Sequence, residues 1–528
     1  MASLTLLSVF LVVAYAIGKT IYNVFLHPLA KCPGPFLARV SSWPSFYHAC
    51  KGDRHIWIWQ CFQVYGNKFR ATPNMVLFCS AQAFNSIYGS RANVKKSNFY
   101  DSWPRNQNDR NTLNTTDPVL HAKKRRLLSL AFNERSTKSA SDTIARHIDR
   151  WNELATLDLE DSAWSSSRDI SPLADKLVFD LFGDLLFGKS FDTKEAASTN
   201  NPFIDIPSHI VKFMQFIYPV TKSPFLDLVV WLKPRGLNRL LEAVAPREVQ
   251  QYYDFVARGV AQGLALERKS QSSHVREDIF HFLCTATDPN TGAPAYSLEE
   301  LLAETHLLII AGRDTTATTI SALFFYICRD PRVYNKLTRE IRTTFTSAEE
   351  IRPGPALTSS TYLRACIDEA LRMAPPGPSE FPRVVLRGGM SIDGEYYPEG
   401  VVVGTAGWAN GHSEEFYGDA NTYRPERWLV SEENDITADE VARLKNGFNP
   451  FLKGSGSCIG QHIAITELMM LLGRTLFRMD VRIVPGSALG EGNPSLGWGR
   501  RLGNQFQLRD AYMAIREGPL VQFRKRVI

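Results

Sequence analysis

Residues 451–460 read FLKGSGSCIG and place one thiol, Cys458, among three glycines just ahead of the apolar stretch QHIAITELMMLLGRTLFRM. A cysteine so placed could be buried filler, a nucleophile, half of a disulfide or a metal ligand. The apolar stretch reads as a helix, so the thiol lies at or just before a helix N-terminus. Free N–H groups and the macrodipole there favour a thiolate, which is a strong metal ligand.

Other segments carry chemically useful residue types. AGRDTT at 311–316 sets an acid, Asp314, beside a hydroxyl, Thr315, in an otherwise apolar segment. Gly312 in that segment costs about 1 kcal/mol relative to alanine in a helix, so it needs a reason. The plainer reading is an Asp at a solvated edge and a Thr bonded back to a carbonyl. In LRACIDEALR (363–372), Glu369 and Arg372 are three apart and meet on one helix face, as such pairs do on ordinary surfaces. TYRPERWL (422–429) adds a further cation, Arg427. PVLHAKKRRLLSLAF (118–132) is a basic helix with two readings: a solvated face, which suits Lys123 and Lys124, or a site where His121 and Arg125, four apart, point together at an anion.

The elements that position these residues are legible. Ser297 and Glu300 form a capping box at the start of a long, mostly buried helix over 297–329, roughly 48 Å at 1.5 Å per residue. Asp330-Pro331 ends it and begins another. After the 363–372 helix, a proline-rich loop leads to a strand near 383–386, and further strands are expected at 390–392 and 401–405. The 528-residue chain, 44% hydrophobic, has no internal repeat and no mid-chain linker, which favours one large unit. A net charge of +6 with acids and bases interspersed excludes a nucleic-acid binder. The eight scattered cysteines form no C-x-x-C pair and read as reduced thiols.

Residues 2–18 are uncharged and Ile21–Leu26 is apolar again after Lys19. This reads as a membrane anchor with a snorkelling lysine. A cleaved signal with Ala14-Tyr15-Ala16 as its site is the competitor, but no basic residue precedes the apolar run. Lys19, Lys31 and Arg39 then leave the body in the cytosol. The expected organisation is an anchor over 1–26, a proline-rich hinge and the start of the body over 27–50, and a single domain over 51–528.

Together, AGRDTT, Glu369-x-x-Arg372, YRPERW and PFLKGSGSCIG resemble, in order and spacing, the cytochrome P-450 superfamily of haem-thiolate monooxygenases. The resemblance covers nearly the whole chain, and HPLAKCPGP with its preceding anchor looks like that of fungal microsomal members. It implies a mainly α fold with a smaller β region, and haem b between the long central helix and the cysteine-loop helix. Cys458 would be the proximal iron ligand, with Phe451 packed near it and Gly454 and Gly460 letting the backbone pass close. Asp314 and Thr315 would relay protons on the distal side, where Ala311 and Gly312 leave room. His121, Arg125 and Arg383 would bind haem propionates, and Glu369, Arg372 and Arg427 would form a buried structural ion-pair network.

One position departs from the family pattern F-x-x-G-x-R-x-C-x-G. Gly456 stands where an Arg or His usually makes a propionate contact, and Lys453 is the candidate substitute. The resemblance further implies hydroxylation of an apolar small molecule, such as a fungal polyketide or terpenoid, with O₂. Electrons would come from an NADPH–haemoprotein reductase at the endoplasmic reticulum membrane, with cytochrome b5 as a second donor. Lys123, Lys124 and Lys453 are candidates for docking the reductase. Phenol coupling, desaturation, O₂-independent rearrangement and a non-enzymatic haem binder are the competing readings. Substrate contacts are expected from 95–117, 203–230, 303–311, 377–382 and 495–505.

Overall fold

The computed structural model describes residues 2–132, 134–159, 163–195, 204, 206–245, 247–270, 279–288 and 291–526. Helices dominate, and the strands are short. The central helix runs Leu298–Ile327. Ser297 accepts from the Glu300 amide while the Glu300 carboxylate accepts from the Ser297 amide, so the expected capping box starts it. Asp330 caps the following helix, Pro331–Thr344, by accepting from the Arg332 and Val333 amides. The central helix is buried along nearly its whole length and packs most extensively on the Ile170–Phe187 helix. A side chain on Gly312 would overlap the Phe182 ring of that neighbour. Close packing of two helices is therefore the reason for this glycine, beside any room it leaves in the cavity that it lines.

The main sheet has five strands in the spatial order Lys68–Thr72, Met75–Phe78, Val402–Thr405, Arg383–Val385 and Val94–Lys96. Only the Met75–Phe78 and Val402–Thr405 pair is parallel. The register sets Lys96 directly opposite Arg383. Like charges facing each other across a ladder are unfavourable unless an anion separates them.

At the N-terminus, a helix over Ala2–Ile21 passes through a wider turn at Tyr22–Leu26. Thr5–Leu26 is long and apolar enough to cross a membrane, and almost none of it is buried against the body. Arg70 holds its lower end by donating to the Asn23 and Leu29 carbonyls. Arg39 adds a bond to the Ala30 carbonyl at 2.7 Å.

A buried polar cluster ties the helix Ile206–Lys222 to the body. Glu380 accepts from Arg54 and, at 2.7 Å, from Lys222. Tyr218 donates to Asp510 at 2.9 Å. All five side chains are buried, so the opposite charges offset each other's desolvation.

Candidate active site

A cavity of about 450 Å³ lies between the central helix and the loop that carries Cys458. One wall is Ala311, Gly312 and Thr315; the opposite wall is Phe451 and the run Gly456–Gly460. The cysteine loop precedes the helix Gln461–Arg478. The Cys458 amide donates to the Phe451 carbonyl at 2.7 Å, which closes the loop under the thiol. The thiol pKa is pushed up by burial, against which the Gly460 amide and Arg125 act only in part. Surrounding protein raises the thiol pKa although its surface stays open to the cavity, and a metal cation bound there would favour the thiolate.

Gly454 does not line the cavity. Its φ of +61° and its approach to the Tyr88 carbonyl make it the turn residue of the loop. Gly460 does line the cavity, 4.0 Å from the sulfur as measured from an added Cβ.

Cations gather at one edge. Lys96, His121, Arg125 and Arg383 all face the cavity. Arg383 donates to the Tyr100 hydroxyl at 3.0 Å, and Arg125 to the Ser457 hydroxyl at 3.2 Å. Burial, followed by Arg383, brings the Lys96 ammonium down to about 7. Burial and the neighbouring cations Lys96, Arg125 and Arg383 lower His121 to about 4, so its imidazole is a neutral hydrogen-bonding group. A thiol on one wall and, at one edge, the guanidinium groups of Arg125 and Arg383 without a carboxylate partner among the described residues fit a metallated macrocycle bearing carboxylates; the Lys96 ammonium already donates to the Thr112 and Leu113 carbonyls at 2.8 and 2.7 Å. Lys453 is not part of that edge. Its ammonium donates to Asn85 at 2.8 Å, and it is not among the cavity-lining residues.

Thr315 faces the cavity and its hydroxyl donates to the Ala311 carbonyl at 2.8 Å. Asp314 does not line it. Its carboxylate pairs with Arg313 at 2.6 Å, and Arg313 reaches Asp175 at 3.1 Å. The two expected relay residues therefore point to different surroundings, because successive helix positions lie about 100° apart.

Glu369 sits at the centre of a fully buried network. It accepts from Arg372 at 2.8 and 2.9 Å, from Arg427 at 2.9 Å and from the Trp428 indole at 2.9 Å. Arg372 also donates to the Gly411 and Ala420 carbonyls. These residues brace the segments that flank the cysteine loop.

A family model described as Cytochrome P450 matches residues 33–496. The chain belongs to the cytochrome P450 family. Among its relatives, Cytochrome P450 monooxygenase apf7 of Gibberella fujikuroi is 34% identical over 98% of this chain and 97% of its own length. Cytochrome P450 monooxygenase poxM of Penicillium oxalicum is 32% identical over 97% of this chain and 93% of its own. A third, fscF of Fusarium equiseti, is 33% identical over 97% and 95%. As a cytochrome P450, the chain is a monooxygenase with a mainly α fold, and the family implies a haem-thiolate group.

Against the P450 expectations from sequence, two substrate segments change. Tyr512 and Met513 line the cavity in place of 495–505, where Trp498 instead packs on Trp59. The segment 203–230 contributes Phe213 and Met214; residues 203 and 205 lie outside the described residues. Sequence reasoning missed Tyr252 and Tyr253 on the helix Arg247–Ser270, and it placed Lys96 only within the 95–117 segment, with no role of its own. Lys124, expected on a solvated face, is buried and pairs with Glu300 at 3.2 Å, so it is no docking cation.

Proposed function

We propose that the protein is a membrane-anchored haem-thiolate hydroxylase acting on an apolar small molecule of fungal secondary metabolism. The observation that carries this reading is the position of Cys458 across the cavity from Ala311–Thr315, with Lys96, Arg125 and Arg383 along one edge. Bound haem b would supply activation of O₂ and transfer of one oxygen atom to the substrate. Cys458 would hold the iron from below. Arg125, Arg383, His121 and Lys96 would fix the carboxylate edge, and Phe451 would shield the sulfur from water. The Thr315 hydroxyl, released from the Ala311 carbonyl, would carry a proton into the cavity. Asp314 would act on that step only through the backbone and Arg313.

The anchor reading covers 1–26, with the body in the cytosol at the endoplasmic reticulum membrane and 51–528 as the catalytic domain. The apolar Thr5–Leu26 segment supports it. So do the exposed aromatics Trp43, Phe225 and Trp231, of which Trp43 and Phe225 touch at 5.9 Å. An NADPH–haemoprotein reductase, with cytochrome b5 as second donor, would deliver electrons near exposed Lys123.

The deciding experiment is the difference spectrum of the reduced protein with carbon monoxide. A strongly red-shifted Soret band that disappears in Cys458→Ala supports the assignment. A histidine-like band, or no haem, overturns it.

A further inference from the structure

The cavity is apolar over most of its wall, yet one end is polar and incompletely satisfied. His306, on the central helix, is 8% exposed, and its Nδ1 is buried without a hydrogen-bond partner. Buried polar atoms are nearly always paired, so an orphan nitrogen on a side chain that lines the cavity marks this end as polar and incompletely satisfied. Its ring packs at a tilt against Tyr253 at 4.4 Å and Tyr252 at 5.3 Å, which fixes its direction. Burial, followed by Arg105, holds the imidazole down at about 3, so it is neutral.

Asp109 lies at the same end. Its Oδ2 accepts from the Arg105 amide at 2.9 Å and from the Tyr253 hydroxyl at 3.3 Å. Among the described residues no hydrogen bond ends on Oδ1, and no cation lies within ion-pair distance of the carboxylate. The Arg105 guanidinium is occupied, 4.0 Å from the Tyr253 ring and 3.5 Å from Glu242. Asp109, Tyr253 and His306 all line the cavity.

We propose that Asp109, Tyr253 and His306 form a recognition site for an N–H or O–H group on an otherwise apolar substrate. Asp109 accepts the substrate hydrogen, and His306 completes the pair. The site deepens the hydroxylase reading and rests on it. It also sets where oxidation falls. His306 is five residues before Ala311 and nine before Thr315, so the oxidised carbon lies roughly 7–14 Å from the polar group at 1.5 Å per residue. A substrate without such a group leaves Asp109 and His306 unpaired and is rejected for that reason.

The test uses the full haem-loaded chain, verified by its carbon monoxide band. Matched probes, a series of primary alcohols from decanol to tetradecanol and their methyl ethers, differ only in the donor hydrogen. Binding is read by the Soret shift and by quenching of tryptophan fluorescence, since Trp103 lines the cavity. The alcohol is expected to bind about ten-fold tighter than its ether, a difference typical of one hydrogen bond. Asp109→Ala and His306→Phe should erase that preference while ether affinity stays the same. Tyr253→Phe, which removes one oxygen, should weaken it with the fold intact. Equal affinities in the wild type, no alcohol binding, or equal losses for both probes in the variants would overturn the inference. Failure to load haem would instead sink the hydroxylase reading, so the two failures are separable.

Discussion

A Cβ built on Gly456 would lie 2.9 Å from a guanidinium nitrogen of Arg383. The missing side chain in the cysteine loop and the cation from the neighbouring strand thus share one space. Arg383 fills the position from which an Arg or His at 456 would act, and Lys96 stands opposite it in the ladder. Restoring the family residue by Gly456→Arg should therefore lower haem occupancy, because it displaces Arg383 from a packed site. Arg383→Ala should speed haem loss about ten-fold, the loss of roughly one charge-assisted contact. Pyridine haemochromogen content per mole of protein, followed over time, checks both. Improved retention in Gly456→Arg would sink the argument.

Removing one member of the Glu369 network leaves its partners buried and uncompensated. Glu369, Arg372 and Arg427 have fully buried side chains. Glu369→Ala should cost about 3–5 kcal/mol of unfolding free energy, measured by urea titration. A loss below about 1 kcal/mol would mean that the surrounding carbonyls and waters satisfy both arginines.

Asp314 and Thr315 should separate in their effects. Asp314→Asn removes one of the two carboxylates that pair with Arg313, which is 1% exposed and keeps Asp175, and should lower stability by about 1–2 kcal/mol. Thr315→Ala should leave stability within about 0.5 kcal/mol, since alanine is the better helix former. It should instead raise O₂ consumption per product formed. Stopped electrode traces with product quantification distinguish the two. Equal uncoupling by both substitutions would give Asp314 a direct part in proton delivery.

Legibility from the sequence followed contact range. The capping box at Ser297, the N-cap at Asp330 and the helix after Cys458 depend on neighbours within a few residues, and all stand as read. Glu369 and Arg372 were readable as a pair from spacing, but their burial with Arg427 came only from the family resemblance, because Arg427 and Trp428 arrive from 58 and 59 positions beyond Glu369. Lys124 looked solvated because Glu300 and Glu304 belong to another helix. The Arg54, Lys222, Glu380 and Asp510 cluster spans most of the chain, so no window of sequence contains it. His306 gave no signal because an unpaired nitrogen is a property of packing, not of residue spacing.

The helix behind the cysteine loop carries its own pH dependence. Glu467 is 3% exposed, its Oε1 has no partner, and burial alone pushes its carboxyl up to about 8 from 4.5. Between those values the folded chain keeps a proton that the unfolded chain releases. Stability rises with pH only where the unfolded state binds more protons, so here it falls as pH climbs from about 4.5 to 8. The loss is on the order of a few kcal/mol, at up to 1.36 kcal/mol per pH unit. Glu467→Gln removes the titration and keeps the shape, so its unfolding free energy should hold level over that window while the wild type declines. Urea midpoints at intervals of pH compare the two chains. Parallel curves would mean that the Glu467 carboxylate finds compensation on ionising, and that the slope belongs to other groups.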